Sequence, residues 1–288
     1  MFRSPKFFLR LGLLLLICSA AQTAFSQNAP KKLPSADKIV DNYLKAIGSK
    51  KTVGALKDAT YEWIVELNNQ PVGTARTQRK APASERVELT FGNGQIISAT
   101  NARSAWELGL DNRLRTLTGL ESAAAKLRAS LDSSHFINFK KANVLARVVS
   151  LGDLAWEPAY IVEFSTRSGA RFQYYFSVKT SLITKITSDT RKMRTSFEDY
   201  RAEQGILEPH RVYMNTDGSG ELTLILQTVK YNTGIDDKVF DPPASTESLD
   251  VAELLREVQR NQDEPRTAYP NTPSNKPRPI ARSPTKAS

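Results

Sequence analysis

The sequence predicts a mainly β protein, an antiparallel sheet of about eleven strands with helices packed on it. Three observations point there. Apolar residues recur with period two through most of the chain between Thr60 and Tyr231. Turn-forming clusters fall at hairpin spacing, with no pattern of crossover helices. The stretch from Pro158 to Val178 is a hairpin in itself. Tyr160, Val162 and Phe164 share one face, Arg167-Ser168-Gly169 turns the chain, and Phe172, Tyr174 and Phe176 resume that face.

Residues 1–26 have the form of a secretory signal peptide: Arg3, Lys6 and Arg10, an apolar run from Leu11 to Ile17, and Ala24-Phe25-Ser26 as a cleavage site. The apolar run is too short to span a bilayer. Periplasmic export is therefore expected, with cleavage after Ser26. Cys18, the one cysteine, follows Ile17 where a lipid-attachment signal needs a small residue, so anchoring there is not expected. The mature chain then has no cysteine, which excludes thiol catalysis, disulfides and cysteine-held metals.

Residues 27–34 form a linker to a domain expected over 35–243. Ser35 can cap a helix in which Ile39, Val40, Tyr43, Leu44 and Ile47 form one stripe, and Gly48 ends it. Lys50 to Leu56 offers a further short helix that docks Val53 and Leu56. Tyr61, Trp63, Val65 and Leu67 then alternate with polar residues until Asn68-Asn69-Gln70-Pro71. Thr74 to Lys80 is a polar strand. Val87, Leu89 and Phe91 share a face, Gly92-Asn93-Gly94 turns, and strands centred near Gln95 to Thr100, Trp106 and Leu114 to Leu117 complete a meander.

At Thr118 the period becomes helical. Thr118-Gly119-Leu120-Glu121 has the form of a capping box, with Leu120, Ala124, Leu127 and Leu131 on one stripe and a break at Asp132-Ser133-Ser134. Phe136 and Phe139 suggest another helical turn. A second run of strands starts near Val144 and passes through the 158–178 hairpin. It continues over 182–187, 193–200, 206–215 and 221–231, with Asp217 to Gly220 turning the last pair. Asn232 to Pro243 closes the body. Residues 244–260 carry a C-terminal helix with Leu249, Ala252, Leu255 and Val258 inward. Residues 261–288 hold six prolines and no periodicity and are expected to be a disordered basic tail.

The formal net charge is +10, of which three charges belong to the signal peptide and three to the last 28 residues. The basic tail suits an anionic membrane surface or an acidic partner, or is simply solvated. No nucleic-acid partner is expected. His135 and His210 lie far apart without metal-ligand neighbours, so no metal or other cofactor is expected. There is no nucleophile elbow, phosphate-binding loop or dinucleotide fingerprint. Glu62, Glu66 and Glu88 could meet as a hydrolytic pair, but the opposite face of those strands is the apolar one, which makes them outer-face residues. The protein is expected not to be an enzyme. Its signal is an apolar face drawn from nearly every strand; either helices fill that face or a cavity remains.

The order of elements resembles the LolA-like superfamily of periplasmic outer-membrane lipoprotein carriers and lipoprotein-sorting relatives, over roughly residues 36–243. Local segments carry the resemblance too. They are Arg79-Lys80-Ala81-Pro82 at the end of a strand, Trp106 in Asn101-Ala102-Arg103-Ser104-Ala105-Trp106, and the closing Ile235 to Pro243 with Phe240-Asp241-Pro242-Pro243. The glycine of the family's Asp-Gly-x-x-x-Trp is missing here. The resemblance implies a curved, incomplete antiparallel β-barrel covered by helices, and a cavity that sequesters a lipid or acylated protein. Its wall candidates are Trp63, Val65, Leu67, Leu89, Phe91, Trp106, Tyr160, Val162, Phe164, Phe172, Tyr174 and Phe176, all of which could be ordinary core. Leu120, Leu127 and Leu131 are lid candidates, and Arg79 or Lys80 corresponds to the basic residue that latches the lid. An envelope sensor or scaffold that binds a protein partner with the same fold is the alternative.

Overall fold

The computed structural model describes residues 33–137, 139–154, 157–190, 192–216 and 220–243. The expected signal peptide, most of the linker, the C-terminal helix, the tail and three residues of the Asp217 to Gly220 turn lie outside the described residues.

The chain opens with α1 (Ala36–Ile47), capped as expected: the Ser35 Oγ accepts from the Lys38 amide at 3.3 Å. Its stripe of Ile39, Val40, Tyr43, Leu44 and Ile47 is buried. At Gly48 a side chain would put its Cβ 2.9 Å from the Gly205 carbonyl oxygen, so the helix ends where only glycine lets it approach the sheet. The short α2 (Lys50–Gly54) buries Val53.

Thirteen strands follow, against about eleven expected: β1 (Asp58–Leu67), β2 (Gln70–Lys80), β3 (Ser84–Phe91), β4 (Gly94–Thr100), β5 (Ala105–Leu108), β6 (Leu114–Thr116), β7 (Leu145–Leu154), β8 (Glu157–Ser165), β9 (Arg171–Ser177), β10 (Ile183–Ser188), β11 (Met193–Glu203), β12 (Ile206–Thr216) and β13 (Glu221–Tyr231). Short pieces such as β6, whose three residues are all exposed, have too little alternation to register in the sequence.

All thirteen belong to one sheet, in the order β6-β5-β4-β3-β2-β1-β13-β12-β11-β10-β9-β8-β7, and every neighbouring pair is antiparallel. The first and last strands therefore meet at the centre, Tyr61 opposite Val229 and Val65 opposite Leu224. The sheet does not close: β6 and β7 are its two free edges. These edges are consecutive in sequence, so the segment joining them has to run from one side of the open sheet to the other. That segment is α3 (Gly119–Ser133) and a 3-10 turn, Phe139–Ala142. Packing follows from this path, with α3 against β2, β3, β4 and β5 on one side and β9 on the other.

The α3 cap corrects an expectation. Thr118 makes no side-chain capping bond, and the Glu121 side chain is taken by Arg115 at 2.7 Å rather than reaching back to the cap. The helix also continues through Asp132 and Ser133 rather than breaking there.

Two apolar clusters divide the sheet. One gathers α1, α3, Phe136 and Phe139 onto the face of β8 to β10, with Phe136 set 5.0 Å from Tyr174 and 5.2 Å from Phe164. The other is formed by Tyr61, Trp63, Val65, Val212, Leu224 and Leu226 at the centre of the sheet. After β13, residues 232–243 form a strap across the strand ends. Asp58 accepts from the Thr233 and Gly234 amides at 2.7 and 3.0 Å, Lys80 donates to the Ile235 carbonyl at 2.7 Å, and the Trp106 indole donates to the Phe240 carbonyl at 3.0 Å.

Candidate functional site

Helices fill the sheet on the β8 to β10 side, but between α3 and the strands on the other side a cavity of about 260 Å³ remains. Period-two alternation supplies its walls. Trp63 of β1, Val87 and Leu89 of β3, Phe197 of β11, Val212 and Met214 of β12 and Leu224 of β13 point into it, and Phe172 of β9 reaches it from the filled side.

A cluster of charges forms one end. Arg79 of β2 donates from Nη2 to Asp132 Oδ2 of α3 at 3.3 Å, and Arg128, one helical turn before Asp132, bonds to the same oxygen. Tyr174 donates to the other oxygen at 3.1 Å. Glu85 Oε2 lies 3.8 Å from Arg79 Nε, too far for a hydrogen bond, and both atoms are buried without a hydrogen-bond partner. The Arg79 guanidinium also sits 5.4 Å over the Tyr61 ring, which in turn stacks on Trp63. Glu208 of β12 accepts from the hydroxyls of Tyr61 at 3.0 Å and Tyr231 at 2.7 Å.

Burial acts on all these groups, and the neighbours decide the outcome. For Asp132 burial raises the carboxyl pKa, but the adjacent Arg128 and Arg79 outweigh it and hold the group below the usual range. For Glu85 burial wins over the attraction of Arg79, and the carboxyl is pushed up. Glu208 is also raised by burial, against the hydrogen bonds from its two tyrosines and the field of Arg79. His135, just beyond α3, is lowered to about 4, chiefly by burial and then by Arg79.

The wall candidates separate into three groups. Trp63, Leu89, Trp106 and Phe172 line the cavity, although the Trp106 indole is engaged by the strap and its ring packs with Ile97 and Ala99. Tyr160, Val162, Phe164, Tyr174 and Phe176 belong to the helix-filled side, where Tyr160 is half-buried and the others are buried core. Val65 is core of the central cluster with Phe91 packed against it, and Leu67, at 37% exposure, lies at the surface where β1 turns into β2. On α3, Leu127 and Leu131 are buried in the filled core, whereas Leu120 is 45% exposed at the helix start, beside the turn at Gly169.

Of the two basic candidates, Arg79 is the one that reaches α3. Lys80 points to the strap, at 2.7 Å from Asp237. Glu62 and Glu88 pair with Arg76 and Arg86, and neither they nor Glu66 line the cavity. The sequence reading passed over Arg128, Thr195, Glu208 and Asp132. For Glu208 the signal was present, since alternation along β12 puts it on the face of Ile206 and Val212. For Arg128 and Asp132 it was their i, i+4 spacing beside the Leu127 and Leu131 stripe.

The open antiparallel sheet, its covering helix and its internal cavity make an incomplete barrel. No family model matches the chain, and no curated protein matches it. Among solved structures it is similar to a LolA superfamily protein from Nitrosomonas europaea, with 15% identity over 73% of this chain and 99% of that one and a TM-score of 0.48. A DUF1329 family protein from Desulfovibrio piger matches at 12% identity, 71% and 96% coverage and a TM-score of 0.45. The lipoprotein LppX of Mycobacterium tuberculosis matches at 10% identity, 72% and 100% coverage and a TM-score of 0.25.

Proposed function

We propose that the protein is a periplasmic binding protein, not an enzyme, that sequesters a lipid or the acyl part of a lipoprotein in the cavity beneath α3. The observation that supports this reading is the cavity itself, an apolar space left open between a curved sheet and the one helix that crosses it. At about 30 Å³ per water-sized group, its 260 Å³ holds about nine methylenes. Each contributes about 0.8 kcal/mol on leaving water, a gross gain of about 7 kcal/mol before ordering costs. That is tight enough to hold a chain and weak enough to release it, as a carrier requires.

In this reading α3 is the lid, and the Arg79 to Asp132 contact is the polar latch on a helix whose Leu127 and Leu131 also pack into the core; opening requires both to give way. The expected signal peptide provides the address. No helix among the described residues is long and apolar enough to cross a membrane.

The test is native mass spectrometry, with organic extraction, of residues 27–288 purified from an exporting host without detergent. A bound lipid or acylated peptide that is lost in a folded Leu89→Asp variant is the expected result. A ligand-free mass, together with no uptake of a fluorescent fatty acid, overturns the reading.

A further inference from the structure

A cavity made for hydrocarbon alone has no use for guanidinium groups in its wall, and this one has two. Arg79 and Arg128 both line it, and their side chains retain 24% and 18% of their accessible surface. Among the described residues both bond to a single carboxylate oxygen, Asp132 Oδ2. A guanidinium carries five N–H donors in a fixed fork, so most of the donors of this pair are unengaged, and Arg79 Nε is buried without any hydrogen-bond partner.

We infer that the cavity takes a single-chain amphiphile with a carboxylate head, the head lying against Arg79 and Arg128 and the chain running along Trp63, Leu89 and Phe197. The inference rests on the carrier reading and specifies its ligand. A carboxylate presents two oxygens at the spacing of the guanidinium fork, and in a site shielded from water such charge-assisted bonds are strong. Three carboxyls face the space: Glu107 is paired with Arg115, Glu208 accepts from the hydroxyls of Tyr61 and Tyr231, and Glu85, its pKa raised by burial, stands 3.8 Å from Arg79 Nε without a hydrogen bond to it. The size fits: nine methylene-sized places in all take a carboxylate head together with a chain of about eight to ten carbons. Because the head engages the same guanidiniums as Asp132, the ligand and the helix compete for Arg79, and filling the cavity loosens the hold on α3.

The experiment is calorimetric titration of the mature protein at pH 7.5 with decanoate, 1-decanol and decyltrimethylammonium. Decanoate is expected to bind at least tenfold more tightly than decanol, and the cation most weakly. In Arg79→Met the preference for decanoate over decanol falls while decanol binding persists. Because Arg128 remains in that variant and Asp132 loses a partner, Arg79→Met/Arg128→Met/Asp132→Asn is measured beside it, with Tm and circular dichroism as the check of folding, and there the preference falls to near unity. Equal binding of decanoate and decanol by the unmodified protein, or an unchanged preference in the folded triple variant, overturns the head-group assignment and leaves the carrier reading standing. Failure of all three probes to bind overturns both.

Discussion

Asp132 of α3 stands between two arginines, with Arg79 of β2 at 3.3 Å and Arg128 of its own helix on the same oxygen, and is itself only 8% exposed. A carboxylate in that position neutralises charge that neither burial nor the apolar wall can tolerate. It also ties the helix that joins the two edges of the sheet to a strand near its centre.

Removing that charge should therefore cost more than an ordinary surface pair. Asp132→Asn keeps the shape and takes from both guanidiniums their hydrogen-bonded counter-charge, leaving only Glu85 at 3.8 Å from Arg79, at an expected cost of about 3 kcal/mol of unfolding free energy. Arg79→Met/Asp132→Asn should recover part of it, because the second change removes one of the stranded charges. A double-mutant cycle by urea denaturation measures the coupling. A coupling energy near zero would show that the two residues are adjacent without being linked.

His135 makes stability depend on pH in a defined window. Its pKa in the fold is about 4 against an ordinary 6.5, so the unfolded chain binds a proton that the folded chain refuses. The associated stability is fully present above about pH 6.5 and is lost as pH falls toward 4, by about 3 kcal/mol in all. Glu85 and Glu208, both raised, act with the opposite sign in the acid range, since the fold favours their protonated forms. The wild-type profile is thus a sum, and the difference between wild type and His135→Gln isolates the histidine. That difference in unfolding free energy should shrink steadily between pH 6.5 and 4; a difference that is flat across the window would refute the assignment.

Local rules of the chain were legible where a residue's role depends on near neighbours. Ser35 caps α1, the inward stripe of α1 is the buried one, and the two strands of the 158–178 hairpin pair as alternation requires. What was hidden depends on strand order. That β1 pairs with β13 cannot be seen from either strand, yet it decides that α3 crosses the sheet and which side it leaves open. Hence Val162 and Leu89 carry the same sequence signal, an apolar residue on the inner face, and one is core while the other lines the cavity. At Thr118 the capping-box pattern is present in the sequence, but the hydroxyl makes no capping bond and Arg115 takes the glutamate.

The strap over residues 232–243 is anchored at its start and at its end, with Lys80 holding Ile235 and Asp237 between them, which leads to a prediction about how it comes loose. At its start Asp58 receives the Thr233 amide and hydroxyl and the Gly234 amide. At its end Phe240 is fully buried, its carbonyl takes the Trp106 indole, and Asp241 is held by Asn101 at 2.8 Å and by Arg103. Nothing in the first set bears on the second, because the residues come from different strands. Asp58→Ala should therefore cost about 2 kcal/mol, from lost hydrogen bonds to a charged acceptor, and speed amide exchange at Thr233 and Gly234. Protection of the Trp106 indole should persist, since burial of Phe240 and the hold on Asp241 are untouched. Exchange followed by NMR separates the two ends. If the Trp106 indole loses protection together with Thr233 and Gly234, the strap is one cooperative unit that starts at Asp58, and the independence argued from its contacts is wrong.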